Sequence, residues 1–133
     1  RNADLIFFGI PSTVIVDYIS KNKANINPKA ILVNLAKGFG KEDSTIPQCL
    51  EKVISNPIVS FKGPSFAREI INYVPTGMTV ATKTSKHYDT FKEIFADTSI
   101  YLDFTSDVTG SELSSILKNV YAIIIGIVDA HYD

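Results

Sequence analysis

The residue of this chain best suited to chemistry is a lysine in its most apolar stretch. Lys118 lies within residues 116–128, where most neighbours are Ile, Leu, Val, Ala or Tyr. Burial disfavours a charged ammonium and lowers its pKa, so a buried lysine can serve as a general base. The alternative is that the side chain snorkels, with its stem packed and its ammonium in water. At this point the sequence leaves both interpretations open.

The element that carries Lys118 is predicted to be a buried helix. Thr109 and Glu112 have capping-box spacing, which predicts a helix start near Gly110. At 3.6 residues per turn, small and polar residues then fall on one narrow stripe, whereas most of the remaining surface is apolar. The stripe consists of Ser111, Ser115, Lys118, Ala122, Gly126 and Asp129, with Ile125 interrupting it. Such a stripe leaves room for another helix or for a ligand.

Short apolar runs alternate with helical patterns along the first hundred residues. The predicted strands are Leu5–Ile10, Ala30–Leu35, Ile58–Phe61, Thr79–Ala81 and an edge strand Ile100–Phe104. Helices are predicted from Ser12, as its cap, to Lys23, over residues 46–55, from near Ser65, over residues 85–95 and from Gly110. This alternation indicates the α/β class, with right-handed crossovers and a mostly parallel sheet.

Parallel sheets bind ligands at the carboxyl ends of their strands. That rule selects three turns: Pro11-Ser12, Lys37-Gly38 and Gly63-Pro64-Ser65. Lys37 could place its charge on a phosphate or a carbonyl, and Gly63 would let a ligand approach the backbone before a helix start. Equally, Lys37 could mark a solvated strand end, and the glycine turn could be an ordinary connection.

Composition limits the class of protein and of partner. The chain has 133 residues, of which 45% are hydrophobic, and a net charge of −1. These values predict one ordinary globular domain and give no reason to expect a nucleic acid or an anionic membrane as partner. The apolar run after Asn119 is shorter than the roughly 20 residues that a bilayer span needs, so no membrane association is expected.

The single cysteine and the two histidines favour structural over chemical roles. Cys49 excludes an internal disulfide, fits a reducing compartment and is interpreted as packing within a helix. His87 is expected on a solvated helix surface. His131 has only Asp129 and Asp133 nearby, which is a poor metal site, so no metal is predicted.

Five segments keep the order and spacing of one enzyme family. They are residues 3–6 leading to Pro11-Ser12, the sequence Leu35–Gly38, the turn Gly63–Glu69, the pair Pro75-Thr76, and Glu112–Ile123 with its Lys-Asn-Val. Together they resemble NAD(P)-dependent glycerol-3-phosphate dehydrogenase. One match would be weak evidence, whereas five in register across nearly the whole chain are strong.

The resemblance implies a hydride-transfer enzyme that interconverts sn-glycerol 3-phosphate and dihydroxyacetone phosphate with NAD or NADP. It implies a place in glycerophospholipid metabolism, a cytoplasmic location and a homodimeric parent protein. The implied proton acceptor is Lys118, as catalytic residue. Substrate contacts are implied for Lys37, Gly63, Ser65 and Asn119, and cofactor contacts for Pro11, Lys37 and Ala67. A second lysine near Lys118 would lower the pKa of its ammonium further.

The chain also departs from the family. It has no G-x-G-x-x-G, and its only G-x-G is Gly38-Phe39-Gly40. It has Ser114-Ser115 and Ala130-His131 where the family has glycine. We therefore expect an internal fragment, inactive alone: residues 1–106 as the second half of a doubly wound Rossmann-type parallel sheet without its first βαβ unit, and residues 107–133 as the first helix of an α-helical substrate domain.

Two other functions remain as alternatives. Another Rossmann-type dehydrogenase, acting on 3-hydroxyacyl substrates or ketopantoate, shares the strand and helix order but is disfavoured by the turn Gly63–Glu69. A non-catalytic flavodoxin-like binding module fits the length. Receiver-type modules carry acidic clusters at strand ends, whereas this chain has Pro11, Lys37 and Gly63 there.

Overall fold

The computed structural model describes residues 2–132 as five strands and five α-helices in alternation. The strands are β1 (Leu5–Phe8), β2 (Ile31–Asn34), β3 (Ile58–Lys62), β4 (Thr76–Ala81) and β5 (Ile100–Thr105). The helices are α1 (Ser12–Asn22), α2 (Ile46–Glu51), α3 (Ala67–Ile71), α4 (Ser85–Phe95) and α5 (Val108–Tyr132), with a 3₁₀ turn at Lys23–Asn25. The α/β class predicted from the sequence is confirmed.

The strands form one sheet in the order β1-β2-β3-β4-β5. Three neighbouring pairs are parallel, as predicted, but β3 and β4 are antiparallel, with Lys62 opposite Thr79. The sheet is therefore mixed. After β3 the chain passes through α3 and returns beside the same strand, so β4 and β5 run in the opposite direction to β1–β3.

This reversal puts helices on both faces of the sheet. Right-handed crossovers place α1 and α2 on one face, and the same handedness with reversed strands places α4 on the other. The first face packs the core of Phe8, Ile15, Val16, Ile19, Leu32, Ile46, Cys49 and Leu50. The second packs Ile31, Val33, Val59, Phe61, Met78, Val80 and Phe91. Cys49 is buried in the first core, which confirms its interpretation as packing.

Most predicted boundaries agree with the structure to within a few residues. Asn27 Oδ1 accepts a hydrogen bond from the Lys29 amide at 3.0 Å in the turn before β2. Ser12, however, does not cap α1: the N-cap is Pro11, and no side chain caps this helix. The second helix ends at Glu51 rather than near residue 55, and β4 begins three residues earlier than predicted.

The predicted capping box at the start of α5 is wrong. The helix begins at Val108, and Asp107 accepts a hydrogen bond from the Gly110 amide at 2.8 Å. Asp107 therefore satisfies the first turn in place of Thr109. Glu112 turns towards the sheet and is fully buried, so the acidic residue that looked like a capping partner has another role.

The prediction that α5 is buried is also wrong for most of its length. Only Glu112 and Ser115 are buried, and residues 119–132 are exposed. By length and composition, the 25-residue helix could cross a membrane. This length includes residues 108–118, whereas the run after Asn119 that the sequence analysis considered is by itself shorter than a bilayer span. The first turns are packed on β3 through Glu112.

The C-terminal end of α3 offers a test of backbone strain. Tyr73 has φ 56°, and the hydrogen bonds from Tyr73 N to Ile70 O (3.1 Å) and from Val74 N to Glu69 O (3.0 Å) form a Schellman motif. A left-handed backbone costs a non-glycine residue about 1–2 kcal/mol. Because the Tyr73 side chain is 82% exposed, Tyr73→Gly should raise the unfolding free energy of the intact protein by about 1 kcal/mol.

Urea denaturation of the intact protein checks this expectation. Ile71→Gly is the matched control, since Ile71 is exposed but is the last residue of α3 with helical backbone, where glycine should lower the stability by up to about 1 kcal/mol. Equal or lower stability of Tyr73→Gly would show that the left-handed conformation costs nothing at this position.

Candidate functional site

A cavity of about 380 Å³ lies between the first turns of α5 and the neighbouring end of the sheet. Its lining residues are Lys37, Lys62, Gly63, Pro64, Thr79, Thr105, Asp107, Ser111, Ser114, Ser115 and Lys118. Three lysines and one acid face the same space, which favours an anionic ligand. The volume lies within the usual range for small-molecule sites.

The cavity brings together three of the predicted site residues. Lys37 follows β2, Gly63 follows β3 and Lys118 projects from α5, and all three line it. The common edge explains this meeting, because parallel strands β2 and β3 end on the same side of the sheet. Ser111 and Ser115, which belong to the polar stripe of α5, line the cavity together with Lys118, as the helical projection predicted.

The other four predicted site residues are not among those that line the cavity. Ser65 is half-buried in the turn after Gly63, and Ala67, Pro11 and Asn119 are exposed. A Cβ atom on Gly38 would lie 2.7 Å from Cβ of Ser12, the residue that follows Pro11. The turns after β1 and β2 are therefore in contact.

Lys118 is half-buried rather than enclosed. Its Nζ atom lies 5.1 Å from the centroid of the Phe66 ring, within range of a cation–π interaction. Phe66 is itself 62% exposed, so the ring covers the ammonium from one side only. Of the two interpretations of Lys118, full burial is not the one that the structure shows.

The buried lysine of this structure is Lys62, which the sequence did not single out. Its side chain is 5% exposed, and Nζ lies 3.1 Å from Oε1 of Glu112, whose side chain is 1% exposed. The ammonium also donates a hydrogen bond to the carbonyl oxygen of Ala36. An ion pair therefore lies at the floor of the cavity.

Glu112 is held by further donors from the sheet. Asn34 Nδ2 donates to Oε1 at 3.0 Å, and the Ser60 hydroxyl donates to the same oxygen. The Oδ1 atom of Asn34 in turn accepts from the Ala36 amide at 3.1 Å. Glu112, Lys62, Asn34 and Ser60, hereafter the polar layer, join α5 to β2 and β3.

Burial lowers the pKa of the Lys62 ammonium, because desolvation disfavours its charge, and the nearby Lys37 lowers it further. Glu112 opposes this effect through its negative charge and its hydrogen bond. The net direction is downward from 10.5, so desolvation outweighs the pair. Lys62 thus has the tuned environment that the sequence analysis assigned to Lys118.

Two buried oxygen atoms in residues 2–132 have no hydrogen-bond partner: Oε2 of Glu112 and Oγ of Ser115. Buried polar atoms are rarely left unsatisfied in native proteins. Since Ser115 lines the cavity, a water molecule or a ligand hydroxyl that enters there can supply a partner.

Strand alternation is the signal that could have revealed the polar layer. In β3, Val59 and Phe61 face the second core, whereas Ser60 and Lys62 point to the opposite face, beneath α5. The sequence analysis predicts a strand at Ile58–Phe61 and assigns no role to its polar residues. Ser60 and Lys62, which alternate with the apolar residues of this strand, instead mark a polar site.

Gly63 makes the close packing at the cavity wall possible. A Cβ atom there would lie 2.5 Å from Sδ of Met78 and 2.6 Å from the carbonyl oxygen of Gly77. Because the Gly77 oxygen belongs to the sheet backbone, it cannot move aside easily. Gly63→Ala should therefore lower the unfolding free energy by about 1–3 kcal/mol and raise the KM for substrate.

Chemical denaturation and steady-state kinetics of the intact protein test this prediction. Gly126→Ala is the matched control, because no heavy atom lies within 4 Å of a Cβ atom there. That control should keep or raise the stability. A Gly63→Ala protein as stable as the wild type would contradict the steric argument.

The histidines lie away from this cavity. His87 is half-buried on α4 rather than solvated, with Nδ1 3.2 Å from the Thr82 hydroxyl, and burial lowers its pKa. His131 is exposed, and Asp133 lies outside the described residues. Residues 2–132 contain no group of three His, Cys, Asp or Glu side chains that could hold a metal ion.

Comparison with known families matches residues 1–88 to the family described as "NAD-dependent glycerol-3-phosphate dehydrogenase N-terminus". The match covers more than half of the chain and includes β1–β4. The chain belongs to this family. The resemblance read from the five segments is thereby confirmed.

Relatives of the same name align with nearly all of the chain. A glycerol-3-phosphate dehydrogenase [NAD(P)+] from Thermoanaerobacter sp. is 33% identical over 96% of the chain, and a chloroplastic NAD(+) enzyme from rice is 32% identical over 96%. The chain spans 39% and 30% of these two relatives.

Solved structures support the same fold. Glycerol-3-phosphate dehydrogenase from Coxiella burnetii matches 94% of the chain at 26% identity with a TM-score of 0.83, and the chain covers 38% of that protein. The Dunaliella salina structure has a TM-score of 0.85 at 20% identity, which shows the fold alone. The Rossmann-like sheet followed by a long helix is thus a family feature.

Proposed function

We propose that this chain carries part of the active site of an oxidoreductase that interconverts sn-glycerol 3-phosphate and dihydroxyacetone phosphate with NAD or NADP. The observation that carries the proposal is the cavity itself. It places Lys118, Lys37 and Gly63 around one space in a chain of this family. Three lysines around a small cavity suit a phosphorylated, three-carbon substrate.

Lys118 is the proposed proton acceptor. A bound nicotinamide would supply the acceptor for the hydride that leaves the carbon bearing the secondary hydroxyl. The hydroxyl proton needs a base in the same step, and a neutral lysine amine can take it. Lys118 lies on a rigid helix and projects into the cavity, which is the placement that this role requires.

Substrate and cofactor contacts complete the proposal. Lys37 supports both ligands by charge, and Gly63, Ser65 and Asn119 contact the substrate. Pro11 and Ala67, with Lys37, hold the cofactor. Residues 107–133 are proposed to open the substrate domain.

The remaining properties of the whole protein are proposed on the same basis: a homodimer, a cytoplasmic location and no membrane or nucleic-acid partner. The rice and Arabidopsis relatives are named chloroplastic, so location varies within the family. Cell fractionation and light scattering of the intact protein test these properties.

A substrate assay of the intact protein tests the activity. We expect reduction of NAD or NADP that depends on sn-glycerol 3-phosphate and is absent with sn-glycerol 1-phosphate or glycerol. Absence of turnover with the sn-3 isomer would refute the proposal. Turnover of a 3-hydroxyacyl substrate or of ketopantoate in its place would support another dehydrogenase of the same fold.

A further inference from the structure

We infer that Lys62 is a positioning residue for the proposed reaction: its ammonium ties Glu112 of α5 to Ala36 at the end of β2, and so sets the separation of Lys37 and Lys118 across the cavity. The inference rests on the proposed function. It assigns a role to a residue that neither the motifs nor the resemblance selected.

Lys62 contacts two residues, Ala36 and Glu112, that are close in sequence to Lys37 and Lys118; these two are called the anchors. Ala36 directly precedes Lys37, and Glu112 precedes Lys118 by six residues on the same helix. Lys62 contacts both anchors, with Nζ 3.1 Å from Glu112 Oε1 and a hydrogen bond to Ala36 O. One ammonium therefore connects the two elements that present the lysines.

Because α5 is a rigid helix, the position of Glu112 determines the position of Lys118. Six helical residues span about 9 Å, so a shift of Glu112 moves Lys118 by a similar amount. Asn34 strengthens the connection, because it donates to Glu112 and accepts from the Ala36 amide. The position of α5 is thus transmitted to the loop of Lys37 by charged and hydrogen-bonded contacts.

Lys62 also lies at the cavity itself. Its side chain lines the cavity beside Gly63, so Lys62 acts on the site as well as on the fold. Within residues 2–132, the charged groups that act on it are Glu112 from α5 and Lys37 after β2. Loss of the ammonium would leave the buried Glu112 carboxylate without its counter-ion.

Kinetics of the intact protein test the inference. At a temperature where circular dichroism shows both proteins folded, Lys62→Met should lower kcat by at least about tenfold, since small displacements of reacting groups are costly. The KM for NAD should change by less than kcat does, because Lys37 is the one proposed cofactor contact next to Ala36, whereas Pro11 and Ala67 lie on other segments. The pH profile of kcat should shift. Lys62→Arg, which keeps the charge and donors, should recover part of the turnover.

Two further variants keep the test decisive. Lys29→Met is the matched control, because Lys29 is exposed and remote from the cavity, and it should leave kcat unchanged. If Lys62→Met does not fold, Lys62→Met/Glu112→Leu removes both charges and should fold but remain slow. A folded variant of either kind with kcat within about twofold of wild type and the same pH profile would overturn the inference.

The same assay separates this inference from the proposed function. Wild-type protein that does not oxidise sn-glycerol 3-phosphate refutes the function. Active wild-type protein with an unaffected Lys62 variant refutes the positioning role alone. A crystal structure of the double variant tests the inference without an activity assay. The separation of Lys37 and Lys118 should differ from that in the wild type. An unchanged separation would contradict the positioning role of Lys62.

Discussion

Lys118→Met in the intact protein is expected to lower turnover by at least about 100-fold, the usual scale for loss of a general base. Methionine has a similar length and keeps the packing of the lysine stem, but it cannot accept a proton. The substituted side chain still faces the cavity, so binding of the cofactor should be retained. Steady-state turnover and NADH titration measure the two effects separately.

Two controls define what the loss means. Lys118→Arg keeps a positive charge that can lie over Phe66, but a guanidinium does not deprotonate in proteins, so this variant should be as slow as Lys118→Met. Lys29→Met should be normal. Near-normal turnover of Lys118→Met would remove this residue from the chemistry, and rescue by arginine would indicate an electrostatic role.

Lys62→Met is expected to lower the unfolding free energy of the intact protein by about 3–5 kcal/mol, because removal of one partner leaves a buried charge unpaired. Glu112 would remain with its carboxylate enclosed and only neutral donors around it. The double variant Lys62→Met/Glu112→Leu should recover most of the loss, since apolar replacements of a buried ion pair are often neutral or stabilising. Denaturant unfolding of the single and double variants measures both values.

The pH dependence gives an independent check of this pair. The pKa of Lys62 is lowered in the folded protein from 10.5. Between the lowered value and 10.5 the unfolded chain binds more protons than the folded one, so this lysine makes stability rise with pH in that window. Its unfavourable contribution is greatest below the folded pKa. The double variant should lack this rise, and identical pH profiles of stability would contradict burial of the Lys62 charge.

Local patterns predicted most of the fold. Apolar runs located all five strands, and α4 was predicted with the bounds that the structure shows, because the spacing of Tyr88, Phe91, Ile94 and Phe95 is strongly helical. The antiparallel step from β3 to β4 was missed. A short helix between two strands reads as a crossover, and strand direction depends on where the chain returns, which periodicity does not encode.

The candidate site was predicted only in its outer part. Lys37, Gly63 and Lys118 come directly after strands or lie on a distinctive helix, so sequence order points to them. The polar layer depends on contacts between distant segments: Asn34 and Glu112 are 78 residues apart, and Ser60 and Glu112 are 52 apart. Glu112 was assigned to a cap because its spacing from Thr109 satisfies a local rule.

The error about α5 has a physical cause as well. A helix that is apolar nearly all round is normally enclosed, so the rule predicts a buried α5 and favours burial of Lys118 over snorkelling without deciding between them. In residues 2–132 only the first turns lie against the sheet, and the remaining turns are exposed. The buried lysine was instead in a strand, where one polar residue among apolar neighbours attracts less attention.

The polar layer has a consequence for how α5 settles on the sheet. Leu, Ile and Val make up ten of the 25 residues of this helix, and an apolar helix surface can pack in several rotations about the helix axis with similar energy. A buried carboxylate does not have this freedom, since it must meet Lys62, Asn34 and Ser60 together. Rotation by one residue, about 100°, would carry Glu112 away from all three donors. The polar layer thus fixes one rotation of α5 about its axis, where apolar packing alone would allow several.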